Sequence, residues 1–167
     1  MYSDKIVSQL KGNPVGQYDY TAPGQVPSEV VEKLIEYTEA QYKLSPTKED
    51  DFKYQLLKKE LIQLIGQDIF DKLASLFGVQ VDEILLRRCE AHGKFINFHT
   101  DVSKKTLQVA LNDNYEGGKL VYLTEGRVFA PERPTGSITI HSDDIVHGVT
   151  KLESGVRYGL FLLNKNN

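Results

Sequence analysis

The chain has 167 residues, of which 40% are hydrophobic, and we expect one domain over residues 1–167 because this length supports one ordinary core but not two. Its 20 basic and 23 acidic residues give a net charge of −3, which argues against a general electrostatic attraction to nucleic acid. The single cysteine excludes an intramolecular disulfide, and no run approaches the roughly 20 apolar residues that a membrane-spanning helix needs.

The first 80 residues predict an irregular start followed by supporting helices. Glycine and proline recur through residues 1–27, which we interpret as a loop with a short strand. Ser28 is a suitable N-cap for a first helix that runs to about Leu44. Apolar residues follow one side of this helix, so we expect it to pack against the rest of the domain.

Two more helices are predicted before the pattern of the chain changes. Thr47 and Asp50 are spaced as in a capping box, and we expect a second helix from there to Ile65. A third helix is predicted over residues 67–77, where Gly78 provides a natural C-terminal stop. We expect these helices to support one sheet of a β-rich region.

From residue 81 onward, the apolar residues follow the two-residue period of β-strands. Eight short antiparallel strands separated by turns predict a jelly roll or a similar barrel over residues 81–167. The expected fold class is therefore mainly β with N-terminal helices (α+β). The predicted strands cover residues 82–90, 94–101, 105–112, 119–124, 126–130, 136–141, 144–149 and 156–163.

Two histidines and one aspartate are the candidate metal ligands. His99 and Asp101 are two residues apart in a predicted strand, so their side chains point to the same face, and His147 would come from a neighbouring strand. Two imidazoles and one carboxylate on one face of an octahedral ion leave three positions open, as in non-heme Fe(II) oxygenases. A lone His-x-Asp pair is more often a surface pair. The remaining histidines, His92 and His141, are expected to be dispensable.

Five segments follow one another through the C-terminal half of the chain: FHTD, TLQVALND, YEGGKLVYL, PTGSITIH and IVHGVTKLESGVRYGLFLL. In this order, the stretch over residues 86–162 resembles the catalytic domain of Fe(II)/2-oxoglutarate-dependent dioxygenases, specifically the prolyl 4-hydroxylase-like branch. The resemblance covers roughly half of the chain. It implies that the predicted jelly roll is a double-stranded β-helix buttressed by the N-terminal helices.

The resemblance also implies the cofactors and their ligands. Fe(II) would bind His99, Asp101 and His147, and the co-substrates would be 2-oxoglutarate and O2. Arg157 stands ten residues past His147, where the family holds the far carboxylate of 2-oxoglutarate. A charge inside the apolar strand VRYGLFLL is costly unless it meets a partner. The alternative is that Arg157 pairs with a buried acid or reaches solvent.

Two positions depart from the resembled family. Its members often carry tyrosines that help to hold 2-oxoglutarate where this chain has Cys89 and Ala110. Thr106 and Gln108 share a strand face with Ala110 and are candidates for replacement hydrogen bonds to the co-substrate. Val149 is assigned to the same co-substrate pocket. The alternative for Thr106 and Gln108 is that they are ordinary strand residues.

The leading hypothesis for function is hydroxylation of a prolyl residue of a protein, with 2-oxoglutarate converted to succinate and CO2. One alternative is an oxygenase of the same superfamily acting on an amino acid or natural product. Another is a non-catalytic, cupin-like metal-binding module, which the complete ligand set argues against. A nucleic-acid dealkylase is disfavoured, because Leu163 stands where such enzymes carry a second arginine.

The expected partner is a protein, peptide or small-molecule substrate, and the sequence does not indicate an oligomeric state. Residues 1–27 and the loop 89–97 are the expected contributors to substrate specificity, with Tyr2, Tyr18 and Tyr20 as candidates for a lid or for packing against the domain. The N-terminus lacks the apolar core of a secretory signal, so we expect a cytoplasmic protein, with a nuclear location as the alternative.

Two pairs of basic residues lie near the candidate metal motif. Arg87 and Arg88 fall on the preceding predicted strand, and Lys104 and Lys105 follow the motif directly. We interpret both pairs as part of a solvated face.

Overall fold

The computed structural model describes Asp4, the backbone of residues 18–20, and residues 25–124 and 126–165. None of the helices in these parts of the chain combines the length and the apolar character that crossing a membrane requires. The helices are α1 (Ser28–Leu44), α2 (Lys58–Ile65) and α3 (Gln67–Phe77), and the strands are β1 (Tyr18–Tyr20), β2 (Asp51–Leu56), β3 (Glu83–Cys89), β4 (Ile96–His99), β5 (Lys105–Ala110), β6 (Glu116–Gly117), β7 (Leu120–Thr124), β8 (Arg127–Phe129), β9 (Ile138–Ser142), β10 (Val146–Val149), β11 (Leu152–Ser154) and β12 (Arg157–Asn164).

The strands form two main antiparallel sheets. The major sheet has six strands in the order β1-β9-β5-β12-β3-β2, and the minor sheet has four in the order β4-β10-β7-β8. Strands β6 and β11 make a separate antiparallel pair. Side chains of the major and minor sheets line one cavity between them. This arrangement confirms the predicted class, a jelly-roll β core supported by N-terminal helices.

Strand β12 shows how the alternation of side chains divides the interior. Leu160 and Leu162 are 0% exposed and belong to the core that the major sheet forms with the three helices. Arg157 and Phe161 point to the other face and line the cavity between the sheets. Because successive residues of a strand face opposite sides, one strand supplies both the helix-facing core and the candidate site.

The three helices bury their apolar sides on the outer face of the major sheet. Leu34 of α1, Leu73 and Phe77 of α3, and Leu61 of α2 are all almost completely buried in this layer. Helix α3 ends where the sequence predicts, at Gly78, whose φ of 71° is a left-handed conformation that glycine adopts without strain. The major sheet is thus covered on the side away from the cavity.

The prediction that a second helix begins near Thr47 is wrong. The chain over Asp51–Leu56 is strand β2, paired with β3 at the edge of the major sheet, and the helix begins only at Lys58. The Thr47 hydroxyl lies 3.4 Å from the Ser45 hydroxyl and caps no helix. Pairing with the open edge of β3, a long-range contact, overrides the local capping signal.

Smaller differences concern element ends and short strands. Helix α1 begins at Ser28 itself, with Pro27 in the N-cap position and no side-chain cap. Strand β1 agrees with the short strand expected within residues 1–27, and its backbone pairs with β9. The pair formed by β6 and β11 was not predicted, because strands of two or three residues carry almost no periodic signal.

Candidate active site

Strands β4 and β10 bring the three candidate metal ligands together. His99 ends β4 directly opposite His147 on β10, and Asp101 follows two residues later. The Nε2 atoms of His99 and His147 lie 3.5 and 3.2 Å from Asp101 Oδ1. Within the described parts of the chain, these residues form the one group of three ligating side chains close enough to share an ion, with ligand atoms within 4.8 Å of one another.

Backbone carbonyls fix the orientation of both imidazoles. His99 Nδ1 lies 2.8 Å from the Asn97 carbonyl oxygen, and His147 Nδ1 lies 3.3 Å from that of Ile145. A carbonyl oxygen only accepts hydrogen bonds, so each Nδ1 carries the proton and donates it. In the neutral ring, each Nε2 therefore directs a lone pair toward the Asp101 carboxylate.

This donor set fits a divalent cation. Two lone pairs and a carboxylate oxygen that face one another repel unless a positive charge lies between them. Metal–ligand bonds of about 2.1 Å at right angles would separate neighbouring ligand atoms by roughly 3 Å, close to the separations found here. Two imidazoles and one carboxylate, with the remaining side open to a cavity, are the ligand set of non-heme Fe(II) sites.

The second oxygen of Asp101 is held by the protein. His141 Nε2 lies 2.7 Å from Asp101 Oδ2, and the Thr106 hydroxyl donates to the same oxygen at 2.9 Å. His141 is almost completely buried, and the Tyr122 hydroxyl lies 3.4 Å from its Nδ1. These contacts leave Oδ1 as the oxygen that faces His99 and His147.

The histidines also keep Asp101 ionised. Burial raises the pKa of the Asp101 carboxyl, but hydrogen bonds from His141, and from His147 and His99 when their Nε2 atoms carry a proton in place of a metal, outweigh it, so its pKa lies well below the usual range. The hydrogen bond with Asp101 raises the pKa of His99, while burial lowers the pKa of His141. Asp101 is thus a carboxylate at any physiological pH, as a metal ligand must be.

A cavity of about 210 Å³ extends from this group. Polar side chains from both sheets line it, together with apolar side chains such as Ile96, Leu120 and Phe161. All the site residues that the sequence suggests line this cavity, namely His99, Asp101, His147, Arg157, Thr106, Gln108 and Val149. The roles of Thr106, Gln108 and Val149 toward a co-substrate stay predictions.

Arg157 is a cation in this cavity without a contacting carboxylate. Its Nη1 donates to the Gly118 carbonyl oxygen at 2.8 Å, and it makes no ion pair with any residue in the described ranges. Burial, followed by the charges of Arg87 and Arg133, lowers the pKa of Arg157 to about 10. The guanidinium therefore stays charged at neutral pH and forms no ion pair with a carboxylate of the described residues.

The interpretation of Arg87 and Arg88 as part of a solvated face is wrong. Arg87 lines the cavity and holds Asp51 through two hydrogen bonds of 2.8 and 2.6 Å. Arg88 is buried on the opposite face of β3 and pairs with Glu39 and Glu90. Strand alternation separates the two arginines, and the edge strand β2, which the sequence did not predict, supplies Asp51.

Lys104 and Lys105 also have partners. Lys104 lies 3.3 Å from an Asp143 carboxylate oxygen, and Lys105 donates to the Phe77 carbonyl oxygen at 2.7 Å. This hydrogen bond connects the first residue of β5 to the last residue of α3. Both lysines therefore make contacts within the protein. The Lys104 side chain is nevertheless exposed, as expected for a solvated face.

Arg133 is a cavity-side residue that sequence reasoning missed. It comes from the loop between β8 and β9, and its Nη2 donates to Gln108 Oε1 at 3.2 Å. Burial lowers the pKa of Arg133. An arginine in a proline-containing loop carries no local signal for a contact with a strand residue such as Gln108, so only the folded structure reveals it.

A second cleft of about 540 Å³ adjoins the first. It shares Arg87, Ile96, Val149 and Arg157 with the metal-facing cavity. Residues of the predicted specificity loop 89–97 line it, including Phe95, which is 67% exposed. The tyrosines considered for a lid, Tyr2, Tyr18 and Tyr20, have side chains outside the described residues, and the His92 ring contacts the Gly155 carbonyl oxygen away from the cavity.

Solved structures share this architecture. A Pseudomonas putida prolyl-4-hydroxylase is similar with a TM-score of 0.63 at 15% identity, covering 97% of this chain and 100% of its own. A Trichoplax adhaerens prolyl hydroxylase in complex with a hypoxia inducible factor peptide fragment gives 0.68 at 14% identity, covering 96% and 87%. HygX from Streptomyces hygroscopicus, with nickel and 2-oxoglutarate bound, gives 0.66 at 13% identity, covering 96% and 85%.

The sequence comparisons give no corresponding match. No family model matches the chain, and a search of curated proteins finds no similar sequence. At these identities, the structural likeness shows that the chain shares the fold of these oxygenases. Its chemistry depends on the residues of its own site.

Proposed function

We propose that the chain is an Fe(II)- and 2-oxoglutarate-dependent dioxygenase. The observation that carries this proposal is the pairing of two features on one cavity: a two-histidine, one-carboxylate donor set and the unpaired cation Arg157. The donor set fits a divalent ion with open coordination positions. A half-buried cation that pairs with no carboxylate of the described residues calls for a carboxylate from a ligand. A ligand with a chelating end and a distal carboxylate satisfies both.

Each residue then has a defined task. His99, Asp101 and His147 would hold Fe(II), with His141 and Thr106 keeping the second oxygen of Asp101 occupied. When bound, Fe(II) supplies the redox chemistry that couples decarboxylation of 2-oxoglutarate to hydroxylation of the substrate.

At the other end of the cavity, the protein would bind the distal carboxylate. Arg157 offers a fork of N–H donors that matches a carboxylate, and Gln108 lies on the same wall. The apolar side chains of Leu85, Leu120 and Phe161 also line the cavity and would limit the access of water. Binding at both the metal ligands and Arg157 would therefore favour a dicarboxylate.

For the substrate, we propose a prolyl residue of a protein or peptide. The second cleft supports this proposal, because it is open, adjoins the metal-facing cavity and has exposed Phe95 at its edge. A solved structure with the same fold is a prolyl hydroxylase that holds a peptide. A small-molecule oxygenase is the alternative. A cupin-like binding module is disfavoured by Arg157, which such a module does not need.

The first test is turnover of 2-oxoglutarate. Protein reconstituted with Fe(II) is expected to form succinate slowly without substrate and faster with a matching proline-containing peptide. The variants His99→Ala, Asp101→Ala and His147→Ala are expected to lose both iron and succinate formation while keeping the fold, and His92→Ala serves as the control. Succinate formation by His99→Ala protein that still binds iron would exclude His99 as a ligand.

A further inference from the structure

Arg133 brings a second cation into the interior beside Arg157. Its Nε is inaccessible to solvent and has no hydrogen-bond partner in the described parts of the chain. Its only hydrogen bond there is the donation from Nη2 to Gln108 Oε1, and no carboxylate pairs with it. The Arg133 side chain as a whole is only half-buried. A guanidinium nitrogen that is shielded from water without a hydrogen-bond partner is nevertheless costly for the fold, so its position calls for an explanation.

The contact with Arg133 determines the orientation of the Gln108 side chain. All guanidinium nitrogens are donors, so the atom that faces Arg133 must be the carbonyl oxygen of the Gln108 amide. The amide nitrogen, Nε2, is then turned away from Arg133 with both hydrogens to donate. Gln108 makes no other hydrogen bond within the described ranges, and its side chain lines the same cavity as Arg157.

Short side chains make room for this arrangement. Ala110 on β5 lies opposite Gly159 on β12, one step along the same face from Gln108 and Arg157. A space of only about 10 Å³ remains between Gly159, Gln108, Arg133 and Arg157. The guanidinium of Arg133 is therefore close to that of Arg157, and its charge contributes to the lowered pKa of Arg157.

We propose that Arg133 is a positioning residue for the co-substrate. It holds the Gln108 amide so that Nε2 donates to the same distal carboxylate as Arg157. The inference rests on the proposed function, because it assigns residues to the carboxylate end of the 2-oxoglutarate site. It predicts selectivity for a dicarboxylate over a 2-oxo acid with one carboxylate.

The test compares two ligands by calorimetry on protein loaded with Mn(II) under anaerobic conditions. 2-Oxoglutarate carries the distal carboxylate, and 2-oxopentanoate has the same chain length without it. Arg133→Met and Gln108→Leu are each expected to weaken 2-oxoglutarate binding about tenfold or more, since a hydrogen bond to a charged group is lost. Binding of 2-oxopentanoate should change by less than about threefold. Arg127→Met, at an exposed position on β8, is the matched control.

A double variant separates positioning from direct contact. If Arg133 acts through Gln108, Arg133→Met adds little in the Gln108→Leu background. A full additional loss in that background would mean that Arg133 contacts the carboxylate itself and would overturn the positioning role.

Gln108→Glu adds a test that does not depend on removing Arg133. The new carboxylate would pair with Arg133, so the protein is expected to be as stable as wild type or more stable. The same change places a negative charge where the amide nitrogen would donate, so 2-oxoglutarate binding should fall at least tenfold. Retained 2-oxoglutarate affinity in this variant would overturn the inference even if Arg133→Met does not fold.

Different results would exclude the proposed function and the positioning role of Arg133. Wild-type protein that binds Mn(II) but shows no 2-oxoglutarate binding would remove the proposed function and this inference together. Binding that depends on Arg157 but is unchanged in Arg133→Met and Gln108→Leu would remove only the inference.

Discussion

The two oxygens of Asp101 have different surroundings. Oδ1 faces the Nε2 atoms of His99 and His147, whereas Oδ2 is held by His141 and the Thr106 hydroxyl. Hydrogen bonds of this second kind orient a metal ligand and reduce the freedom that binding would otherwise remove. No feature of the sequence indicates the contact between His141 and Asp101, so the sequence predicts that His141 is dispensable.

We therefore expect His141→Phe to weaken metal binding. The ring is retained, but the hydrogen bond to Asp101 is lost, and removal of such a partner typically costs 10–100-fold, or about 1.4–2.7 kcal/mol, in metal affinity. Competition titration with a chelating dye would measure the dissociation constants for Mn(II) or Co(II). His92→Phe is the control, because the one hydrogen bond of the His92 ring within the described residues is with the Gly155 carbonyl oxygen. Equal affinities in the two variants would contradict the positioning role of His141.

Arg157 illustrates a conflict between stability and binding. Its pKa is lowered to about 10, so the folded state disfavours the charged form. Below pH 10, the folded protein therefore carries the full cost of this charge, which is relieved only as pH rises from about 10 toward the ordinary value near 12.5.

Replacing Arg157 by Met is expected to stabilise the ligand-free protein at pH 7 by about 1–2 kcal/mol, because a half-buried charge is removed and a methionine fills similar space. The lost hydrogen bond to the Gly118 carbonyl oxygen offsets part of the gain. Urea unfolding would measure the difference. The same variant should lose at least two orders of magnitude in 2-oxoglutarate affinity. A destabilised variant with unchanged affinity would indicate a purely structural arginine.

At the scale of elements, the two faces of β12 have different roles: one packs in the hydrophobic core and the other lines the candidate site. Leu160 faces the helices, and its neighbours Gly159 and Phe161 face the cavity. Changes on the two faces of this one strand should therefore have different consequences. This separation follows from the period of two and from the burial of both faces in the centre of the major sheet.

Leu160→Ala tests this separation. Removal of a completely buried leucine side chain should lower the free energy of unfolding by about 2–5 kcal/mol, depending on how far neighbouring side chains fill the space that the leucine leaves. Metal and 2-oxoglutarate affinities of the folded variant should stay within about threefold of wild type, because the changed side chain points away from the site. Chemical denaturation and calorimetry would give the two quantities. A large loss of affinity without a loss of stability would contradict the assigned faces.

At the scale of the whole molecule, the candidate site joins the two sheets. His99 and His147 come from the minor sheet, whereas Arg157 and Gln108 come from the major sheet. A metal ion and a dicarboxylate that bridge these groups would tie the sheets together across the cavity. Ligand binding should therefore stabilise the entire β core.

Thermal unfolding can resolve the two contributions. A divalent ion alone should raise the melting temperature, and 2-oxoglutarate added with the ion should raise it further, since a ligand at 100 times its Kd contributes about 2.7 kcal/mol. The increment from 2-oxoglutarate should disappear in Arg157→Met, while the increment from the ion remains. A 2-oxoglutarate increment that persists in His99→Ala protein without metal would place the ligand elsewhere.

Most of the fold and part of the site could be predicted from local pattern. The alternation of apolar residues predicts the β core, and the left-handed glycine at Gly78 ends α3 where expected. The period of two places His99 and Asp101 on one face of a predicted strand; in the structure β4 ends at His99, and Asp101 reaches the same cavity from the loop that follows. Arg157 is conspicuous as a charge in an apolar run. These features depend on neighbours in sequence, so the sequence by itself determines them.

Contacts between distant elements were decided only by the tertiary structure. Strand β2 replaces the predicted start of a helix because β3 offers an open edge, and this pairing brings Asp51 to Arg87. His141 reaches Asp101 from another strand, and Arg133 reaches Gln108 from a loop. No local sequence pattern encodes these long-range contacts. They depend on which strands become neighbours and on how much space the small residues between those strands leave.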